Sequence, residues 1–398
     1  MTDFEKILSL ILEKNPTRLI VKPTTKTLIA GFGIKKIIKL SDYNNYFEFK
    51  ESVNKELSSR DIGFGSLFFD IDINIKSKLW KDFEQAEFTF TNSVLRYENN
   101  NLSIVDDNDN LKSYFSNFSK SIDNNRVKSK SPLKRNKHEQ WKNLVEKAKK
   151  EINNSVLEKI VVAEMKKESI DNFDLKSTIL DLIEKYPNCT TYLYKMKDSI
   201  FFGSTPEMIF EYTNNVLKTE AIAGSIPNKG EKTEEIKRKF ENTTLIEEHK
   251  IVSEYIEKQL LKISSNKIRK SDLEVKKLNN INHLQSKIEV EIKDNDFFEF
   301  IALLHPSPAL AGFPVNEAKK WIKNNENFDR GLYAGSIGYV EKDNSNFYAA
   351  LRCAMYNNIR SEIVSFAGNG IVKDSKVNYE IDELNSKFKA INESIIEN

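Results

Sequence analysis

Glu380, Glu383 and Lys387 are spaced so that, on a helix, all three side chains share one face. Glu247, Glu248 and His249 open a second stretch that continues at helical spacing through Ile251, Val252 and Tyr255. Carboxylates drawn from two helices, in a chain with four histidines and two cysteines, suit a hard cation such as Mg²⁺ better than a soft one. Taken alone, Glu383 and Lys387 read as an ordinary surface ion pair one turn apart. Lys159 lies inside the apolar run Leu157-Glu158-Lys159-Ile160-Val161-Val162-Ala163. Strand alternation puts it on the face of Leu157 and Val161. A lysine there either snorkels to water at a sheet edge, which is the simpler reading, or sits in an enclosed site. Enclosure would lower its pKa and make it a usable base.

Glu207 closes Phe202-Gly203-Ser204-Thr205-Pro206-Glu207 and by itself reads as a solvated turn carboxylate. Ala221-Ile222-Ala223-Gly224-Ser225 either brings backbone N–H groups to an anionic ligand or makes a plain tight turn. Arg352, beside an apolar strand, is suited to clamping a carboxylate. Three further segments offer close backbone access. These are the rigid His305-to-Pro314 stretch, Arg330 to Gly338, and Ala367-Gly368-Asn369-Gly370.

The elements that must position these residues can be sketched from periodicity. From Ile20 to about Phe118 short apolar runs alternate with polar turns, and Phe88-Thr89-Phe90-Thr91 alternates in the strand manner. Gly31-Phe32-Gly33 lacks the third glycine of a dinucleotide loop and reads as a turn. Trp141, Leu144, Val145, Ala148 and Ile152 form one apolar stripe, which predicts a helix from Glu139 to about Asn153. Strands and helices then interleave without a regular βαβ period. The expected fold class is α+β, with large, mainly antiparallel sheets flanked by helices. The expected division is a strand-rich part at 1–118, a basic polar linker at 119–138 and a catalytic region at 139–398.

Bulk properties narrow the function. Lys+Arg number 61 against 59 Asp+Glu, a net charge of +2 that gives no electrostatic reason for a nucleic-acid partner. Cys189 and Cys353 are too few and too far apart for a disulfide framework or a CxxC site. Met1 to Leu12 has no basic region or unbroken apolar core of a signal peptide, and no apolar run approaches a membrane span. A cytoplasmic protein without a membrane partner is expected.

Taken in order from about Ser155 to Phe388, these segments resemble the chorismate-binding enzyme family. That family includes isochorismate synthase, anthranilate synthase component I, aminodeoxychorismate synthase and salicylate synthase. His305-Pro306-Ser307-Pro308-Ala309-Leu310-Ala311-Gly312 resembles the isochorismate synthase branch. Ala223 stands where aminodeoxychorismate synthases typically carry a nucleophilic lysine, which favours water as the nucleophile. The resemblance implies a Mg²⁺-dependent isomerase that turns chorismate into isochorismate for menaquinone or siderophore biosynthesis. In it Lys159 would activate water for attack at C2, and Glu207 would protonate the departing C4 hydroxyl. Glu248 and Glu383 would hold the metal, with Glu380 acting through metal-bound water. Gly224, Ala309, Arg352, Gly368 and Lys387 would contact substrate, and His283 and Tyr333 would line the pocket. Departures from the family pattern are Thr244 and Leu245 in place of a Lys-Asp pair, Glu164 in place of arginine, and Asn369 in place of a small residue. Glu247 is the candidate to replace the missing outer carboxylate. A salicylate synthase or a non-catalytic chorismate-binding relative are the alternatives. No amidotransferase subunit is expected, and the chain is expected to be a monomer or weak dimer.

Overall fold

The computed structural model describes residues 2–59, 62–71, 78–105, 110–116, 138–228, 230–231, 233–240, 243–279 and 281–397. The expected linker lies outside these residues except for its last member. His138 is buried at the start of helix Glu139–Asn154, where Nδ1 meets Glu164 Oε2 at 2.6 Å and Nε2 meets Asn385 Oδ1 at 2.9 Å. Glu164 is thereby engaged away from the candidate site.

Two ten-stranded sheets dominate the described residues, and every strand pairing among these residues is antiparallel. The fold is α+β, as the interleaved pattern predicts. In the first sheet, strand Lys159–Ser169 pairs along its whole length with Glu362–Val372. Its apolar run is continuous because its first five residues, Lys159 included, are all buried. In the second sheet, Val216–Pro227 pairs with Ile281–Glu291. Strands before residue 106 join both sheets. Arg18–Lys22, Thr27–Phe32, Ser93–Glu98 and Asn101–Val105 extend the first, while Lys36–Lys39, Gly63–Leu67 and Ala86–Phe90 extend the second.

The sheets pack face to face through aromatic side chains, among them Tyr192, Tyr194 and Phe201 from one and Phe64, Phe88, Phe210 and Phe347 from the other. Some of the polar groups caught between them are paired. Tyr194 Oη donates to the Gly338 carbonyl at 2.7 Å, and Arg18 Nη2 donates to Thr89 Oγ1 at 2.7 Å. The alternation at Phe88-Thr89-Phe90 therefore does not mark a solvated face. Thr89 is buried because it serves the internal arginine. The expected turn at Gly31-Phe32-Gly33 is also corrected. Gly31 and Phe32 complete strand Thr27–Phe32, and only Gly33 bends away, at φ 62°.

Of the connections that cross from sheet to sheet, two frame the candidate site. Ser199–Thr205 of the first leads through Pro206 and Glu207 into Met208–Thr213 of the second. Ser345–Ala349 of the second returns through Ala350, Leu351 and Arg352 to Cys353–Asn357 of the first. Both crossings open onto the same cavity. Among the described residues no helix is long and apolar enough to cross a membrane.

Candidate active site

One cavity is lined by Lys159, Glu207, Glu248, His283, Ala309, Tyr333, Arg352, Gly368, Glu383 and Lys387. All ten are residues that the sequence reading selected. Two others, Gly224 and Glu380, stand just behind the lining.

Lys159 does not snorkel. Its side chain is 1% exposed, and Nζ donates to Glu248 Oε1 at 2.8 Å. The strand holds it there because Gly312, from the proline-rich segment, pairs with Ile160 and closes the edge against solvent. Arg330 fastens that segment: Nη1 donates to the Leu310 carbonyl at 3.0 Å and Nη2 to the Val161 carbonyl at 2.8 Å. Glu326 in turn accepts from Arg330 Nε at 2.8 Å and from the Ala163 N–H at 2.9 Å.

Glu207 is not a solvated turn carboxylate either. It is 9% exposed, and burial pushes its carboxyl up to about 7. Glu220 adds to the rise, while Lys159, Lys276 and Arg352 oppose it. A carboxyl poised there exists in both protonation states near neutral pH, as a general acid requires.

Ala221 to Ser225, left open between a ligand-facing segment and a tight turn, forms a bulge inside strand Val216–Pro227. Gly224 takes φ 73°, and a Cβ there would lie 2.8 Å from the Leu245 carbonyl oxygen. The bulge aims Ser225 Oγ at His283 Nδ1, 2.8 Å away. Burial, followed by Arg352, Lys387 and Lys276, drives the His283 pKa well below its ordinary value, so the ring is neutral. Nε2 accepts from Arg352 Nη2 at 3.4 Å, which leaves Nδ1–H to donate to Ser225. Arg352 itself is held at φ 46° between the two sheets, a left-handed conformation that the strands on either side must impose.

The glycines expected in a turn at 368–370 lie in mid-strand, within Glu362–Val372. At Gly370 a Cβ would come within 2.5 Å of Lys159 Cε and 2.9 Å of Glu248 Oε1. The absent side chain is what lets the ion pair lie across the sheet.

Helix Thr243–Leu260 supplies Glu248, and Val377–Asn392 supplies Glu383 and Lys387. Lys387 Nζ meets Glu383 Oε1 at 2.6 Å and donates to the Gly368 carbonyl at 2.7 Å and to Asn369 Oδ1 at 3.1 Å. This buried pair is no surface salt bridge. Glu380 is bonded by Asn369 Nδ2 at 3.0 Å, and burial, with Glu383 and Glu248 adding repulsion, pushes it up to about 7. Three carboxylates thus crowd together with only lysines to balance two of them. That set fits a hard divalent cation, although among the described residues no three potential ligands already stand close enough to hold one. Glu247 is exposed and does not replace the missing outer carboxylate.

Sequence reading missed Ser225, Glu220 and Lys276. Glu220 carried a usable signal, a lone carboxylate within the apolar run Ala221-Ile222-Ala223 and its strand, much as Lys159 did. Lys276 sits in a polar stretch and carried none.

The family model described as chorismate binding enzyme matches residues 6–396 of the chain. The similarity therefore includes the strands before residue 106, where no motif was legible. Isochorismate synthase 2 of Arabidopsis thaliana is 34% identical over 199 residues, covering 49% of this chain and 35% of that protein. Isochorismate synthase MenF of Haemophilus influenzae is 30% identical over 263 residues, covering 62% of this chain and 58% of that protein. The chain thus spans between about a third and three-fifths of the length of these relatives. The structure of MenF from Escherichia coli, a menaquinone-specific isochorismate synthase, superposes with a TM-score of 0.78. It is 20% identical and covers 97% of this chain and 90% of that one, so it shares the fold.

Proposed function

From the premise that the chain belongs to the chorismate-binding enzyme family, we propose that it is an isochorismate synthase using Mg²⁺. The observation that carries the reading is the convergence, in one cavity, of buried Lys159 from a strand of the first sheet and buried Glu207 from a crossing between the sheets. The relatives named isochorismate synthase support it.

Chorismate carries two carboxylates and a hydroxyl that leaves poorly. Arg352 and Lys387 supply fixed positive charge for the carboxylates. Glu248 and Glu383 would hold the metal, which when bound contributes further positive charge to a substrate carboxylate. Lys159 Nζ, in its neutral amine form, takes a proton from the water that attacks C2, and proton exchange with solvent resets it and Glu207 after turnover. Glu207, protonated, gives its proton to the C4 oxygen as that C–O bond breaks and the double bond shifts. One water enters and one leaves, so the product is an isomer. Ala223 lines the cavity with a methyl group, which supports water rather than an amine as nucleophile and an enzyme without an amidotransferase subunit. We assign the product to menaquinone or siderophore biosynthesis.

Incubating the protein with chorismate and Mg²⁺ and separating the products tests this. Isochorismate is the expected product. Salicylate would reassign the chain to the salicylate synthase branch, and unchanged chorismate would sink the reading.

A further inference from the structure

The candidate general acid is gripped by an ion pair that bonds the backbone on either side of it. Glu220 Oε1 accepts from the Met208 N–H at 2.8 Å, and Lys276 Nζ donates to the Pro206 carbonyl. The two groups pair with each other at 3.1 Å, and Gln285 Nε2 donates to Glu220 Oε2. The peptide units on both sides of Glu207 are therefore tied to one charged cluster. Glu207's own backbone is fixed as well, its N–H donating to Thr205 Oγ1 at 3.2 Å and its carbonyl accepting from the Ala349 N–H at 3.1 Å.

We propose that Glu220 and Lys276 are positioning residues for Glu207, a clamp that aims its carboxyl into the cavity and sets the electrostatic field in which it ionises. The inference rests on the reading of Glu207 as general acid. A sheet needs no such device here: the clamped segment is a crossing between sheets, where ladder hydrogen bonds stop and the backbone needs other partners. Strand Glu274–Lys277 lies beyond Ile281–Glu291, so Lys276 reaches across a strand to make the pair. Ordinary sheet stability does not require that reach.

The charged groups facing Glu207 are Glu220 from Val216–Pro227, Lys276 from Glu274–Lys277, Lys159 from the lysine strand and Arg352 from the second crossing. Glu220 holds the proton on Glu207, and the three cations loosen it. Neutralising one member of the clamp or the other should therefore move Glu207 in opposite directions. A merely structural role predicts no such pattern.

The test compares wild type, Glu220→Gln and Lys276→Met, with Lys276→Arg as the conservative control. Two readouts are taken: the pH profile of isochorismate formation, and ¹³C NMR titration of the Glu207 carboxyl without substrate, its signal identified by its loss in Glu207→Gln. In Glu220→Gln the alkaline limb and the carboxyl titration should fall together by about one pH unit. In Lys276→Met both should rise, and Lys276→Arg should return them toward wild type. kcat should drop about tenfold or more in the first two variants with KM little changed, as expected when a reacting group is mis-aimed. Unshifted titrations, or shifts of the same sign in both variants, would overturn the clamp. The NMR arm needs no turnover, so a wild type that leaves chorismate unchanged would end the proposed function and still leave the clamp's effect on Glu207 measured. If Glu220→Gln does not fold, the rise expected in Lys276→Met decides the matter by itself.

Discussion

At the residue scale, the assignment depends on a buried lysine and a buried carboxyl being where charge is costly. Neither would be kept there by packing alone, since an apolar side chain of similar size would spare the desolvation. Lys159→Ala should lower kcat by roughly 100-fold or more, the usual scale for losing a positioned base. Glu207→Gln should do the same from the acid side, while substrate affinity falls much less because Arg352 and Lys387 remain. Isochorismate formation by the folded variants decides this, and near-normal turnover in Lys159→Ala would remove the mechanism. The sign of the pH dependence follows from Glu207, whose carboxyl sits at about 7. It donates only when protonated, so kcat should decline as the pH rises through that value. That alkaline limb should vanish from whatever residual activity Glu207→Gln retains.

At the scale of elements, two helices and one bulged strand bring the carboxylates together. Glu248 and Glu383 belong to helices more than a hundred residues apart in sequence, and each is neutralised by its own lysine. A chelator should abolish activity and Mg²⁺ should restore it. Glu248→Gln or Glu383→Gln should each remove the Mg²⁺ response while leaving the circular dichroism spectrum unchanged. Full turnover in rigorously metal-free buffer would contradict this. The bulge gives a prediction about stability. Gly224→Ala places a Cβ at φ 73° and 2.8 Å from the Leu245 carbonyl. The left-handed backbone alone should cost about 1–2 kcal/mol. Helix Thr243–Leu260 must also shift to relieve the contact, carrying Glu248 with it. Chemical denaturation should show the loss, and the concentration of Mg²⁺ needed for half-maximal activity should rise.

At the scale of the whole molecule, the site exists because two sheets meet along a seam and two of the chain's crossings between them open onto one cavity. Glu207 and Arg352 occupy those crossings, so their positions depend on the sheets being docked. Far from the cavity, Arg18 and Glu87 share in that docking, at 3.4 Å and with neither side chain exposed beyond 1%. Burial holds Glu87 at about 6, although Arg18 works against the rise. Arg18→Met would leave Glu87 and Thr89 without their partner and should cost about 3–5 kcal/mol of stability. Activity per folded molecule should stay at the wild-type level, because no cavity residue touches the pair. A denaturation midpoint equal to wild type would show that the arginine does not help to hold the sheets together.

The sequence by itself determined the local half of this picture. The stripe of Trp141, Val145, Ala148 and Ile152, the β-branched run after Lys159, and the i,i+3 and i,i+7 spacing of Glu380, Glu383 and Lys387 are periodic signals. Their physical cause is the pitch of a helix or strand, which needs no partner to be read. The order of motifs from Lys159 to Lys387 placed the chain in its family for the same reason. What only the tertiary structure decided was burial. Whether Lys159 snorkels depends on Gly312 closing the sheet edge from a segment some 150 residues away. Whether Glu207 meets water depends on the packing around the crossing between the two sheets, whose strands are distant in sequence. Ala221 to Ser225 stayed open between a ligand-facing segment and a tight turn, and only pairing with Ile281–Glu291 before and after Gly224 made it a bulge. Burial is set by neighbours distant in sequence, and an isolated chain segment carries no record of them. That is why the chemistry of each group, though its residue type was plain, waited for the fold.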